Sequence, residues 1–422
     1  MKLHSIRLSL LICLITFGIN YMQACSMSKI TFNGVTYVGN NEDSWHTDPR
    51  IWFEPGAGSK RGACYVGYAD KWPQGGMNID GLVYDAFTMY DGNVQPNGKP
   101  IAENLPIFLR DIMQSCGTVD EVYKYAINFD RHNFDRAMML FVDTTGKYLV
   151  MEADTMIIGN DSTFLLANFS FSKTKDLSTV SLGRYQRGQA FLEKHAIGGL
   201  DFCRALMDTM SECRERKGDG TLYTSLYDTK RRLISLSFYH NYDRVHILSL
   251  NDELAKGEHW IAMETLFPKN EEFETLKSYI TPANHITLLP IMLIVVILLL
   301  GMAAILSTQW FRQLHLAEKN LQYLRISIAI FNALLAIYIW VIMNEPAVYY
   351  FPAPYFEAGR GWINLLSYMP VLTLIVMAAT GWLVFRKQVV TTTGARVGFY
   401  VNAVVWLLCA IAFAYWGLIA II

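Results

Sequence analysis

At 422 residues with 52% hydrophobic content, the chain is too long for one ordinary domain and too apolar to be wholly soluble. Its 36 Lys and Arg stand against 37 Asp and Glu, a net charge of −1. With no basic stripe interleaved with aromatics, that balance excludes a nucleic-acid-binding protein.

The first segment carries Lys2 and Arg7, an apolar run from Leu8 to Ile19 and then Ala24 directly before Cys25, the pattern of a secretory leader spanning 1–24. Cleavage after Ala24 leaves Cys25 at the head of the mature chain, with a thiol and a free α-amine on neighbouring bonds. A lipid anchor on that cysteine is the competing reading, but "YMQAC" lacks the usual Leu three residues before Cys.

From Lys29 the pattern is β-like, and Asn33-Gly34 between two apolar runs is a strong hairpin signal. The hairpin returns Asp43 towards Cys25. Further strands are expected at 63–68, 81–87, 137–143, 148–153 and 164–169. Helices follow at 102–114, 119–129, 184–195 and 200–215, the second capped by Thr118 with Glu121 three residues on. Strands near 222–227, 233–239 and 244–250 close a domain spanning 25–255. Strands first, helices in the middle and strands last imply two sheets sandwiched between helices. His240 and His246 fall on one face of a β-like segment, but no carboxylate or Cys partner lies near them in sequence, so no metal site is assigned.

Residues 256–285 read as a connection. Beyond His285 come four apolar runs, 286–306, 326–343, 362–385 and 397–422, each near or above the ~20 residues a helix needs to cross a bilayer. Arg312, Lys319 and Arg325 follow the first run, and Arg386, Lys387 and Arg396 the third. The loop between the second and third has only Arg360 against Glu345 and Glu357. The positive-inside rule therefore places the soluble domain outside, in the periplasm or extracellular space, in agreement with the leader. The spans hold almost no ionisable residues, which excludes a proton or ion path through them and leaves an anchor in the lipid bilayer, or a surface for a membrane partner or a second copy. Five cysteines belong to the exported part, Cys25, Cys64, Cys116, Cys203 and Cys213; an odd number implies a free thiol.

These residues together resemble the choloylglycine hydrolase and penicillin V acylase superfamily of N-terminal nucleophile (Ntn) hydrolases, which also includes acyl-CoA:6-aminopenicillanate acyltransferase-like amidases. The resemblance rests on Cys25, on Gly39-Asn40-Asn41-Glu42-Asp43 some eighteen residues later, on "WPQGGMNIDGLVYDAF", on "LLANFS" with Asn168 and on "GRYQRGQAF" with Arg184 and Arg187. It spans roughly residues 25–250 and leaves the membrane segments unexplained. It implies an α+β fold, an αββα four-layer sandwich, here followed by four transmembrane helices. It further implies that Cys25 is the nucleophile with its α-amine as base, that Asp43 holds the α-ammonium, that Asn168 donates to the oxyanion and that Arg184 supplies positive charge favouring thiolate. Asn40, Asp85 and Arg187 fall beside the expected substrate site. In the bile-salt and penicillin V branch the position of Asn40 is Arg, which points away from bile salts and towards the acyltransferase-like branch.

The expectation is therefore a membrane-anchored amidase cleaving a linear, amphiphilic acyl amide through a thioester, without metal or cofactor. An acyltransferase with an amine acceptor and a non-catalytic exported sensor or scaffold are the alternatives.

Overall fold

The computed structural model describes residues 25–44, 46–89, 94–213, 220–282, 285–313, 319–344, 365–366, 368–386 and 393–419. The leader and the Tyr- and Phe-rich loop expected between the second and third spans lie outside them. The chain divides into two compact units, with the boundary between Tyr279 and Ile280.

The first unit contains two antiparallel sheets. One sheet orders its strands β10-β1-β2-β11-β12-β13: β1 (Ser26–Phe32), β2 (Val35–Ser44), β10 (Thr163–Ala167), β11 (Gly220–Asp228), β12 (Leu233–Phe238) and β13 (Asn241–Ser249). The hairpin at Asn33-Gly34 forms as the sequence predicts. Both residues have positive φ, 50° and 72°, as a two-residue primed turn requires, and Phe32 pairs with Val35 across it.

The second sheet runs β14-β3-β4-β5-β6-β7-β8-β9, with β3 (Arg50–Glu54), β4 (Ala63–Gly67), β5 (Pro73–Asn78), β6 (Val83–Thr88), β7 (Ala137–Val142), β8 (Tyr148–Met151), β9 (Met156–Gly159) and β14 (His259–Ala262). In β5 the glycines permit close packing: a Cβ on Gly76 would run into the carbonyl oxygen of Cys64 on β4.

Period-two alternation sorts side chains into three cores. Met27, Val38, Tyr223 and Leu166 from the first sheet meet Ile51, Cys64, Met77, Val83 and Leu140 from the second between the sheets. On the outer face of the second sheet, Tyr65, Tyr84, Phe141 and Met151 pack with α1 (Leu105–Ser115) and α2 (Val119–Ala126). On the outer face of the first, Ile30, Tyr37, Leu165 and Leu226 pack with α3 (Gly183–Lys194) and α4 (Leu200–Thr209). The layers are helix, sheet, sheet, helix. Thr118 caps α2, its side chain accepting from the Glu121 amide.

The segment 256–285, read as a connection, is largely part of this unit. After α5 (Leu250–Ala255), β14 pairs with β3 from His259↔Phe53 to Ala262↔Arg50. Phe273 and Leu276 of α6 (Glu271–Ser278) then enter the core between the sheets. Burial of those two apolar side chains is what turns a connection into structure.

Of the four expected spans, three are found among the described residues of the second unit. The helices long and apolar enough to cross a membrane there are Leu288–Arg312, Lys319–Asn344 and Arg396–Tyr415; the first two are α7 and α8, and the third lies in α10 (Thr393–Tyr415). Within the expected 362–385 run the described residues form the 17-residue helix α9 (Met369–Phe385), while 362–364 and 367 lie outside them. At ~1.5 Å per residue such a helix falls short of the ~30 Å hydrocarbon thickness. Pro370 sits in its first turn, where its missing N–H costs nothing. Between α8 and α10, Asn332 donates to Asn402 Oδ1 at 2.6 Å and accepts from Trp406 Nε1 at 2.8 Å.

Candidate active site

Cys25 stands one residue before β1. The β1–β2 ladder begins at Ser26↔Asn41 and the β1–β10 ladder at Ser26↔Ala167. One step before Ser26, Cys25 lies beside Glu42, and Asn168 is the residue that follows the paired end of β10. Glu42 is in turn paired with Tyr223 of β11. All four are buried.

The thiol donates to Glu42 Oε2 at 3.1 Å, and Tyr68, just past β4, donates to Glu42 Oε1 at 2.7 Å. Burial pushes the Glu42 carboxyl up to about 8; the neighbouring Asp43 adds to the rise, and the Tyr68 and Cys25 hydrogen bonds oppose it. Burial also drives the Cys25 thiol well above its ordinary range, reinforced by Glu42, Asp85 and Asp43. Asp85, on the inward face of β6, is raised by burial and then by Glu42. Neither of its carboxyl oxygens has a hydrogen-bond partner among the described residues.

Asn168 follows β10 directly. Its Nδ2 donates to the Thr88 carbonyl at 2.9 Å, and its Oδ1 accepts from Arg184 Nη2 at 2.8 Å. Arg184 is buried near the start of α3. The guanidinium thus acts on the Asn168 amide, whereas the groups whose charge bears on the thiol are carboxylic. The turn after Asn168 is held by Glu152, which accepts from the Ser170 hydroxyl at 3.2 Å and from the Ser172 amide and hydroxyl.

The remaining residues divide by face. A register shift between Thr221 and Tyr223 lets Thr221 Oγ1 reach Asp43 Oδ1 at 2.5 Å. Asn40 points to the inter-sheet side, like Glu42 two residues on, and both its polar side-chain atoms are buried without partners among the described residues. Arg187 is elsewhere: it donates to the Thr209 and Ser211 carbonyls at 2.9 and 2.7 Å and pairs with Glu212 at 3.0 Å. It clasps the end of α4.

Glu42 and Tyr68 are the participants that the sequence reading did not single out. The signal for Glu42 was present: a two-residue turn at 33–34 makes paired positions sum to 67, and 25 pairs with 42. Tyr68 carries no such signal, because its approach depends on how the two sheets stack.

No family model matches the sequence, and no curated protein matches it at a significant level. Solved structures do. The chain is similar to penicillin V acylase from Agrobacterium tumefaciens at 13% identity, over 58% of this chain and 98% of that one, with a TM-score of 0.44. Two variants of the conjugated bile acid hydrolase from Clostridium perfringens are similar at 15% and 16% identity, over 59% and 58% of this chain and 97% of each of theirs, both with TM-score 0.44.

Proposed function

We propose that the chain is an exported amidohydrolase in which Cys25, freed at its amine by removal of the leader, cleaves a linear acyl amide through a thioester. The observation that carries this reading is the setting of Cys25. The thiol, one residue before β1, donates to the Glu42 carboxyl at 3.1 Å, the neighbouring strand β10 ends at the fixed Asn168 amide, and amide and carboxyl are backed by second residues, Arg184 and Tyr68. Sulfur attacks the carbonyl carbon, the Asn168 amide donates to the oxyanion, and the amine leaves with a proton. Water then resolves the thioester, releasing the acid and restoring the thiol. Three helices able to span a bilayer favour an amphiphilic N-acyl substrate, taken from the membrane surface.

The test is intact mass of the purified full chain before and after exposure to long-chain N-acyl amides. An N-terminus at Cys25 and an acyl adduct that disappears in Cys25→Ala are expected. A retained leader or a lipid on the α-amine removes that amine from the chemistry. Absence of any Cys25 adduct points to a non-catalytic sensor. Diversion of the acyl group to an added amine would make the enzyme an acyltransferase.

A further inference from the structure

Polar side chains that the amide chemistry leaves unused are concentrated in the gap between the sheets. Asn40 of β2 and Tyr223 of β11 reach into it from the six-stranded sheet, and Asp85 of β6 from the eight-stranded one. Their exposures are 0%, 1% and 1%. Yet Asn40 Oδ1 and Nδ2, both carboxyl oxygens of Asp85 and the Tyr223 hydroxyl have no hydrogen-bond partner among the described residues. Buried amides, carboxyls and hydroxyls are almost always paired, because an unpaired one forfeits its hydration with nothing in return. A set of them drawn from three strands on two sheets marks a place shaped for a polar guest.

That place adjoins the nucleophile. Tyr223 pairs with Glu42, whose carboxyl accepts from the Cys25 thiol. Asn40 lies two residues before Glu42 on the same face, about 7 Å deeper between the sheets at ~3.4 Å per residue. Opposite, Asp85 leans over Gly75 of β5, where a Cβ would stand 3.2 Å from Asp85 Oδ2. The missing side chain at 75 is what gives the carboxyl its room.

The three groups offer donors and acceptors without charge. Burial, then Glu42, holds the Asp85 carboxyl well above its ordinary range, and burial, then Glu42 and Asp85, does the same for the Tyr223 phenol. A neutral carboxyl both donates and accepts, as do an amide and a phenol. No Lys or Arg stands among these electrostatic neighbours, so an anionic guest would find no counter-ion.

We infer that Asn40, Asp85 and Tyr223 form a subsite selecting an acyl chain that carries a neutral hydroxyl, carbonyl or amide group within a few bonds of the scissile carbonyl. This rests on the amidase reading above and narrows its substrate. The amine has to depart before water resolves the thioester, whereas the acyl group stays on sulfur throughout; a gap closed between two sheets suits the part that stays. Beyond the polar group the chain can be apolar, since Met27, Val38, Val83 and Leu140 line the same gap. A plain alkyl chain would leave the polar atoms stranded, the situation in which a site rejects an analogue lacking one hydroxyl by as much as ~10⁴–10⁵-fold.

The experiment compares octanoyl, β-hydroxyoctanoyl and β-aminooctanoyl p-nitroanilides with the solubilised full chain, read by nitroaniline release. Wild-type kcat/KM should favour the hydroxylated chain over the plain one by ~10²-fold or more. Asp85→Leu should bring that ratio to within a few-fold of unity, and Asp85→Asn, neutral and still hydrogen-bonding, should keep most of it. Tyr223→Phe removes a single oxygen and should narrow the ratio too, so the test survives if Asp85→Leu does not fold. Equal wild-type rates, or a ratio unchanged in Asp85→Leu or in Tyr223→Phe, would overturn the subsite and leave these atoms to bound water alone. Loss of the ratio in Asp85→Asn, or preference for the amino chain, would show an ionic site and overturn it as well. Failure of all three anilides alongside a Cys25 adduct from plain long-chain amides counts against the subsite only. Failure of both sinks the amidase reading, and the subsite with it.

Discussion

Replacing Arg184 with Met keeps most of the side chain's apolar length and removes the guanidinium that accompanies Asn168. In the folded chain this leaves Asn168 Oδ1 without its 2.8 Å donor, at 4% exposure. Losing a buried hydrogen bond from a charged donor costs about 1.5–3 kcal/mol. Part of that is offset, because the guanidinium is itself 6% exposed and its Nε has no partner among the described residues. A net loss of about 1–2 kcal/mol corresponds to a Tm drop of ~2–8 °C for a domain of this size. The effect on turnover is larger, since an amide free to rotate no longer presents its N–H to the oxyanion, and one such donor is worth ~2.7–4 kcal/mol, or 10²–10³ in kcat. Hydrolysis of an N-acyl p-nitroanilide by the solubilised chain reads this as a fall in kcat with KM nearly unchanged. Arg184→Met, Asn168→Ala and the double variant form a cycle. If Arg184 works through Asn168, the double variant is no slower than Asn168→Ala. Losses in kcat that multiply would show that Arg184 acts on the substrate or the sulfur by itself, and the reasoning would be wrong.

Gly76→Ala forces a Cβ against the Cys64 carbonyl in the interior of the eight-stranded sheet; backbone cannot yield as a side-chain end can, so thermal unfolding should show a loss of about 1–3 kcal/mol. In the membrane unit, Asn332→Leu removes the hydrogen bonds to Asn402 and Trp406. Unfolding in detergent should lose ~0.6–1.7 kcal/mol, the range for such contacts between transmembrane helices, and an unchanged value would mean that the polar trio holds nothing. Stability should also depend on pH through Glu42. Its folded-state carboxyl titrates at about 8, above the ~4.3 of an unfolded Glu. Its contribution is therefore fully present below about pH 4.3 and declines as pH rises towards 8, by up to ~1.4 kcal/mol per pH unit. Glu42→Gln should flatten this decline in denaturant titrations, and parallel wild-type and variant curves would contradict the burial argument.

Much of this was written in local sequence. The Asn33-Gly34 turn, the Thr118 cap and the short apolar runs of β7 and β8 each report on a handful of neighbouring residues, and each forms where expected. β5 was harder to recognise as a strand, because Pro73, Gly75 and Gly76 argue against one by composition; their value lies in contacts with β4 and β6, supplied by the fold alone. β14 was missed for a related reason. Its pairing partner is β3, some two hundred positions earlier, and nothing nearby signals an added edge. The site divides in the same way. Arg184 donates to Asn168 Oδ1, a direction that motif order alone does not give. Arg187, one helical turn further on, faces the end of the next helix. Such directions follow from helix phase and layer stacking, which spacing alone does not encode.

The strand that begins with Ser26 is flanked on both sides, by five paired positions along β10 and seven along β2. Its registration is therefore set entirely downstream of the peptide bond that joins Cys25 to Ala24. Scission of that bond would alter what is attached to one nitrogen while the sulfur keeps its seat. The sulfur's seat is thus fixed by β2 and β10, whatever is joined to the Cys25 nitrogen.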